Sequence, residues 1–64
     1  MRVRIHFSCE DDASYSRAVW KLYPYIRRVA RTAANLLEVE CSEEARAVIP
    51  DVLSLPGVLK VEVE

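Results

Sequence analysis

One stretch near the amino terminus of this chain occurs twice, and the repeat restricts the folds that the chain can adopt. Residues 5–13 read IHFSCEDDA and residues 37–45 read LEVECSEEA, 32 positions later and half the chain length on. Between the two copies Cys9 aligns with Cys41, apolar residues align with apolar residues, and two acidic residues align with two others. We interpret the repeat as one strand–helix–strand unit that the chain uses twice.

The first unit begins with a strand and continues into a helix. Apolar residues alternate with Arg and His over residues 2–8, which is the period of a half-buried strand. The apolar set is Val3, Ile5 and Phe7, and the polar set is Arg2, Arg4 and His6. Acidic residues at positions 10–12 suit the N-terminus of a helix. The apolar residues at helical spacing that follow are Tyr15, Ala18, Val19 and Leu22. Pro24 ends or kinks this helix.

Residues 26–34 fit two structures. Ile26, Val29, Ala30 and Ala33 form a helical stripe, and Pro24 could begin a second helix. The repeat instead aligns this segment with residues 58–64, which alternate as a strand does. We therefore predict a strand, with a turn at residues 34–35, because Asn tolerates the left-handed backbone of a tight turn.

The second unit repeats the order of the first. Leu37, Val39 and Cys41 alternate with Leu36, Glu38 and Glu40, which predicts a third strand. Ser42 is the expected N-cap of a second helix. The apolar stripe of that helix is Ala45, Val48, Ile49, Val52 and Leu53, and Pro50 implies a kink or a late start. After a Pro56-Gly57 turn, a last strand is predicted with Leu59, Val61 and Val63 facing inward and with Lys60, Glu62 and Glu64 facing outward.

These elements predict one α+β domain over residues 1–64, a ferredoxin-like βαββαβ sandwich. In this fold a four-stranded antiparallel sheet of order 4-1-3-2 carries two helices on one face. The outward residues support that order, because strands 1 and 2 are basic there and strands 3 and 4 are mainly acidic. The order 4-1-3-2 makes opposite charges cross-strand neighbours, which stabilises the sheet.

Composition narrows the functional classes. The net charge is −1, so no bulk field favours nucleic acid or an anionic membrane. No apolar run is long enough to cross a bilayer, and no signal-peptide pattern opens the chain. We expect a cytoplasmic protein without a resident cofactor. The chain contains one Gly, one Asn and no Gln, which is a weak indication of a thermophilic source.

Cys9, Cys41 and His6 are the weak candidates for a metal or redox site. The two Cys end strands that are neighbours in the predicted sheet. They can be small buried hydrophobes, a disulfide, or a metal or redox pair. His6 lies among Glu38, Glu40 and Glu62 on the predicted open face. A single His with carboxylates can bind a divalent metal. The alternative is that His6 belongs to a sheet surface with many ion pairs.

Trp20, Tyr23 and Tyr25 surround Pro24 and are the candidate partner-binding residues. Trp20 lies off the apolar stripe of the first helix, and exposed aromatics are enriched at binding hot spots. Aromatics that cover the end of a small core are the alternative. The sequence argues against nucleic acid as a partner, because the outward sheet positions carry Arg, His and Glu where RNA-binding sheets carry aromatics. A defined homodimer remains compatible with the charged edge strands.

The sequence contains no P-loop, no G-x-S-x-G, no H-E-x-x-H and no C-x-x-C, so we expect no enzyme. The closing stretch from Ser42-Glu43-Glu44-Ala45 to Leu55-Pro56-Gly57-Val58-Leu59-Lys60-Val61-Glu62 resembles the end of subtilisin propeptides and the related proteinase inhibitors. That resemblance implies a ferredoxin-like inhibitor or chaperone module that docks its sheet on a subtilisin-like protease.

A second resemblance rests on the first strand and helix and on a later segment. The first strand and helix, ending in Leu22-Tyr23-Pro24, and the later Asn35-Leu36-Leu37-Glu38-Val39-Glu40 are similar in layout to the small dimerising subunit of the KEOPS tRNA-modification complex. We therefore expect a non-catalytic protein–protein interaction module, of the inhibitor or chaperone type. The alternatives are an accessory subunit of a larger complex and a Cys-based metal- or redox-responsive module.

Overall fold

The computed structural model describes residues 1–8 and 12–64 and has an α+β architecture. The strands in these residues are β1 (Arg2–Phe7), β2 (Ile26–Ala33), β3 (Leu36–Cys41) and β4 (Val58–Val63). The α-helices are α1 (Asp12–Leu22) and α2 (Ile49–Leu53). Within the described residues the strands form one four-stranded sheet of order β2-β3-β1-β4, and every pairing is antiparallel. The predicted α+β class with an antiparallel sheet and two helices is confirmed.

The apolar side chains of the two central strands form the middle of the core. Val3 of β1 pairs with Val39 of β3, and Ile5 pairs with Leu37. All four are fully buried, as the alternation of apolar and polar residues predicts. The rest of the buried hydrophobic cluster is Phe7, Ala18, Leu22, Cys41, Ala45 and Val52. Side chains from α1 and from the second helical segment therefore pack on the same face of the sheet.

The helix α1 forms where its apolar stripe predicts it. Ala18 and Leu22 are buried, and Tyr15 and Val19 pack partly against the core. The α-helix ends at Leu22, and Pro24 lies in a short 3₁₀ turn over Tyr23–Tyr25. This ending follows from the missing N–H of proline and from its clash with the preceding turn.

The ambiguous segment is a strand, as predicted. The strand β2 ends at Ala33, and Asn35 in the following turn has a φ of 64°. The register between β2 and β3 shifts twice, between Ile26 and Arg28 and between Val29 and Arg31. Each shift is a bulge, which changes the facing of the residues beyond it.

The second helical segment starts late, as Pro50 implied, and differs from its prediction at Ser42 and Leu53. A 3₁₀ helix covers Glu43–Ala47, and the α-helix begins only at Ile49, with Pro50 in its first turn. Ser42 precedes the 3₁₀ helix, but its side chain makes no capping hydrogen bond. Leu53 was predicted in the apolar stripe and is 51% exposed instead. Adjacent residues of an α-helix point about 100° apart, and in α2 Val52 faces the core while Leu53 faces solvent.

The last strand β4 begins at Val58 and contains an irregularity that the alternation does not reveal. The register with β1 shifts between His6 and Phe7, so that Val58 lies opposite Phe7 and Lys60 lies opposite His6. Leu59 is the extra residue and is 65% exposed. The prediction that Leu59 shares a buried face with Val61 is therefore wrong, and Val58 packs against the core in its place.

Candidate functional site

Two large aromatic side chains are exposed where α1 ends. Trp20 is 75% exposed and Tyr23 is 67% exposed, and their ring centroids are 6.0 Å apart at an interplanar angle of 40°. Trp20 lies on the helix face opposite to buried Ala18 and Leu22. The 3₁₀ turn that contains Pro24 holds Tyr23 beside it. The prediction that Trp20 lies off the apolar stripe is confirmed.

A shallow depression adjoins Trp20. It has a volume of about 130 Å³ and is lined by Tyr15, Ser16, Val19 and Trp20. Pockets that enclose a drug-sized ligand have volumes of roughly 300–1,000 Å³. This depression therefore matches one inserted side chain of a partner better than a small-molecule ligand. We call Trp20, Tyr23 and the depression the aromatic surface.

Tyr25, the third predicted contact residue, has a different environment. Its side chain is partly buried and packs against the core, and its carbonyl oxygen accepts a hydrogen bond from the Ser42 N–H at 2.9 Å. Tyr25 therefore ties the 3₁₀ turn to the end of β3. Its ring packs against the core, whereas Trp20 and Tyr23 present their rings to solvent.

The face of the sheet opposite the helices carries a network of ion pairs, and we call it the open face. Its outward side chains come from all four described strands. The paired atoms are Arg28 Nε–Glu40 Oε2 at 3.1 Å, Arg2 Nη2–Glu40 Oε1 at 3.1 Å, Arg2 Nη1–Glu38 Oε2 at 3.8 Å, Arg4 Nε–Glu38 Oε1 at 3.2 Å and Arg4 Nη2–Glu64 Oε1 at 3.0 Å. Positive and negative charges therefore alternate without a break from β2 to the end of β4.

Glu38 is the residue of this network that sequence reasoning missed. It was predicted to point outward, and it does, yet only 7% of the residue is exposed. The guanidinium groups of Arg2 and Arg4 cover it from β1. A signal was present in the sequence, because a carboxylate between two arginines on a neighbouring strand is the arrangement in which a charge can be buried with partners.

Hydrogen-bonding partners also lower the pKa of three carboxylates. Hydrogen bonds from Arg2 and Arg28 lower the pKa of Glu40, and the hydrogen bond with His6 lowers the pKa of Glu62. Away from the sheet, a hydrogen bond from Arg46 lowers the pKa of Glu43. In each case the partner stabilises the ionised form of the carboxylate.

His6, a predicted metal candidate, is bonded within the open face. Its Nε2 lies 2.6 Å from Glu62 Oε1, and Lys60 Nζ lies 4.0 Å from the same oxygen. No group of three or more His, Cys, Asp or Glu side chains in residues 1–8 and 12–64 is arranged to hold a metal ion. His6 therefore has the structural role of a bonding partner for Glu62 across β1 and β4.

Cys41 ends β3 inside the core. It is 1% exposed, and its carbonyl oxygen accepts a hydrogen bond from the amino terminus at 3.0 Å. Burial raises the pKa of its thiol, which lowers the fraction of reactive thiolate. Cys9 lies outside the described residues, so the three alternatives for the two cysteines, namely buried hydrophobes, a disulfide, and a metal or redox pair, stay untested.

Neither the protein-family models nor the curated proteins nor the solved structures contain a match to this chain. No helix in the described part of the chain is long and apolar enough to cross a membrane.

Proposed function

We propose that this protein is a non-catalytic protein–protein interaction module and that the aromatic surface is its docking site. The observation that carries the proposal is the exposure of Trp20 and Tyr23 side by side. The two rings are exposed to water, so burying their apolar area against a partner is favourable. Trp and Tyr are also among the residues most enriched at binding hot spots.

The surface has the shape of a contact for one partner side chain. The depression beside Trp20 is already formed in the free protein, and the packed helix α1 holds its walls. A preformed site loses less side-chain freedom on binding. We expect the partner to place an apolar side chain in the depression and to cover the ring of Trp20.

The test is photo-crosslinking from position 16, at the rim of the depression, in extract of the native host. Wild-type protein should crosslink one saturable partner. Trp20→Ala should weaken the purified interaction by about 2–4 kcal/mol, the range of a hot-spot residue. Leu53→Ala is the matched control, because Leu53 is also apolar and 51% exposed but lies on α2. Equal binding by Trp20→Ala and Leu53→Ala would contradict the proposal.

We propose further that the fold is the ferredoxin-like βαββαβ sandwich. Two features support this proposal. The strand order is β2-β3-β1-β4, and a helical segment follows each of the central strands β1 and β3. The experiment is a solution NMR structure, in which contacts between β1 and both β3 and β4 are expected and contacts between β1 and β2 are not.

For the partner class, the resemblance to subtilisin propeptides suggests a subtilisin-like protease. The turn that carries the resemblance has the expected form, since Gly57 has a φ of 86° and β4 begins at Val58. In this version the open face would be the docking surface. If the wild-type protein slows cleavage by a subtilisin-type protease and Arg4→Glu abolishes this inhibition, the protease version is supported. If Trp20→Ala weakens partner binding and Arg4→Glu does not, the accessory-subunit alternative, which uses the aromatic surface, is favoured.

A further inference from the structure

The strand β4 is an edge strand of the sheet among the described residues, and some of its backbone N–H and C=O groups face away from β1. Glu64 N–H donates to Arg2 O at 2.9 Å, and Arg2 N–H donates to Glu64 O at 3.3 Å. In an antiparallel ladder such hydrogen-bonded pairs alternate with non-hydrogen-bonded pairs. The register is regular from Val63 to Lys60. The backbone groups of residues 60, 62 and 64 therefore face β1, and those of Val61 and Val63 face the outer edge.

Exposed apolar side chains accompany these backbone groups. Leu59 is 65% exposed and Val63 is 36% exposed. Each lies two residues from Val61, on either side of it in the sequence. An edge strand with unpaired backbone groups and exposed apolar residues is a template for pairing with another strand.

We propose that this edge binds β4 of a second copy of the chain, antiparallel and centred on Val61, so that two four-stranded sheets become one continuous sheet. Val61 would then exchange both backbone hydrogen bonds with Val61 of the other copy. Leu59 would lie opposite Val63 at each end. The inference is independent of the proposed function, because it uses a different surface from the aromatic one.

The charges on β4 select this register over its neighbours. With Val61 opposite Val61, Lys60 of each copy lies opposite Glu62 of the other. A shift toward the amino terminus places Lys60 opposite Lys60, and a shift toward the carboxyl terminus places Glu62 opposite Glu62. Directly opposed like charges destabilise a strand pair, and opposite charges stabilise it. The sequence of β4 is therefore complementary to itself in one antiparallel register.

The other edge of the sheet lacks this complementarity. Bulges discourage edge pairing. The strand β2 has two register shifts along its length, whereas the single shift of β4 lies at Leu59, beside the regular stretch from Lys60 to Val63. The sequence of β2, IRRVARTA, contains three arginines and no acidic residue. Pairing of β2 with a second β2 would bring arginines together, so the self-association is specific to β4.

The experiment measures self-association by analytical ultracentrifugation for the whole chain. We expect a concentration-dependent dimer below about 1 mM, the weak end of specific affinities. Lys60→Glu should weaken the dimer about tenfold or more, because two attractive pairs become repulsive. Leu59→Asp should weaken it too, and since Leu59 lies outside the core, this variant should still fold. Arg17→Glu, which makes the same change of charge on α1, should dimerise as wild type does.

A mixing experiment separates pairing from loss of folding. Lys60→Glu and Glu62→Lys should each be monomeric, with wild-type circular dichroism. Mixed together they should form a heterodimer, because the glutamate introduced into one variant meets the lysine introduced into the other. A wild type that is monomeric at about 1 mM, a dimer unaffected by Lys60→Glu, or a mixture that stays monomeric would each overturn the proposal.

Discussion

The two faces of the sheet come from the same strands and hold the protein together in different ways. On the helix side, Ile5 and Leu37 lie opposite each other across β1 and β3 and have no exposed surface. On the open side, their chain neighbours Arg4 and Glu38 form an ion pair at 3.2 Å. Burial of apolar area drives folding without regard to direction. Ion pairs on an exposed face add little energy and depend on which residues are opposite.

The comparison indicates that the two faces contribute differently to stability. A slip of one residue would place the apolar residues of β1 on the open face. A slip of two residues would keep the apolar pattern and could still place Arg4 opposite Glu40. The observed register places Arg2 opposite Glu40 and Arg4 opposite Glu38. The apolar face therefore fixes which side is inward, and the charged face adds pairs of opposite charge to the register that forms.

The largest expected effect is on the apolar face. Ile5→Ala leaves a cavity in the middle of the core and should lower the free energy of unfolding by about 2–5 kcal/mol. Urea denaturation with circular dichroism measures this change. Val29→Ala removes an apolar side chain that is 51% exposed on β2, and it should have a much smaller effect. Equal losses from the two variants would mean that the buried face does not dominate stability.

The second largest effect is expected at Glu38, a residue of the open face that is nearly buried. Glu38→Gln keeps the shape and removes the charge that Arg2 and Arg4 share, so it should lower the free energy of unfolding by about 1–2 kcal/mol. The control is Glu44→Gln, at an exposed position of the 3₁₀ helix. If thermal denaturation gives the two variants the same melting temperature, the partial burial of Glu38 has no energetic consequence.

Acid should weaken the ion pairs of the open face and leave the packing of the apolar face unchanged. The pKa values of Glu40 and Glu62, which lie on the open face, are lowered in the folded protein. Their contribution to stability is thus complete above the ordinary carboxyl pKa of 4.5 and is lost as the pH falls through the lowered values. Urea unfolding at a series of pH values should show this decline, and Glu40→Gln should make it shallower. Ile5→Ala should shift the curve without changing its slope, and a changed slope would contradict the separation of the faces.

The smallest effect is expected for Arg28, at the rim of the open face. Its side chain is 64% exposed and bonds Glu40 at 3.1 Å, and exposed pairs of this kind contribute little. Arg28→Ala should therefore change stability less than Glu38→Gln does. A double-mutant cycle with Glu40→Gln isolates the pair, and a coupling free energy larger than the loss at Glu38 would reverse this ranking.

Much of the fold was predictable because the alternation of β1 and β3 has few interruptions. The strand at residues 26–34 was the difficult case, since its local pattern also fits a helix and only the comparison with residues 58–64 favoured a strand. Leu59 could not be assigned from the sequence. A bulge shifts which residue faces the core, and whether a bulge forms depends on the strand that lies opposite.

In the candidate site, too, some features follow from the sequence and others depend on tertiary packing. Exposure of Trp20 followed from its place outside the apolar stripe of α1. Its contact with Tyr23 and the depression beside it depend on how the Pro24 turn packs, because the path of the chain after a helix is set by what it packs against. The partial burial of Tyr25 was likewise beyond reach of the sequence, since that position could face solvent or the end of the core.

By itself, then, the sequence determined which residues of each central strand face inward, because a strand alternates with a period of two and apolar side chains leave water. It also determined that Pro24 ends α1 and that Asn35 makes a turn. Only the tertiary structure decided that Glu38 is covered, that Leu59 is exposed and that the outer backbone of β4 is unpaired among the described residues. Those outcomes depend on neighbouring strands, and the covering of a side chain or the pairing of an edge is a property of both partners.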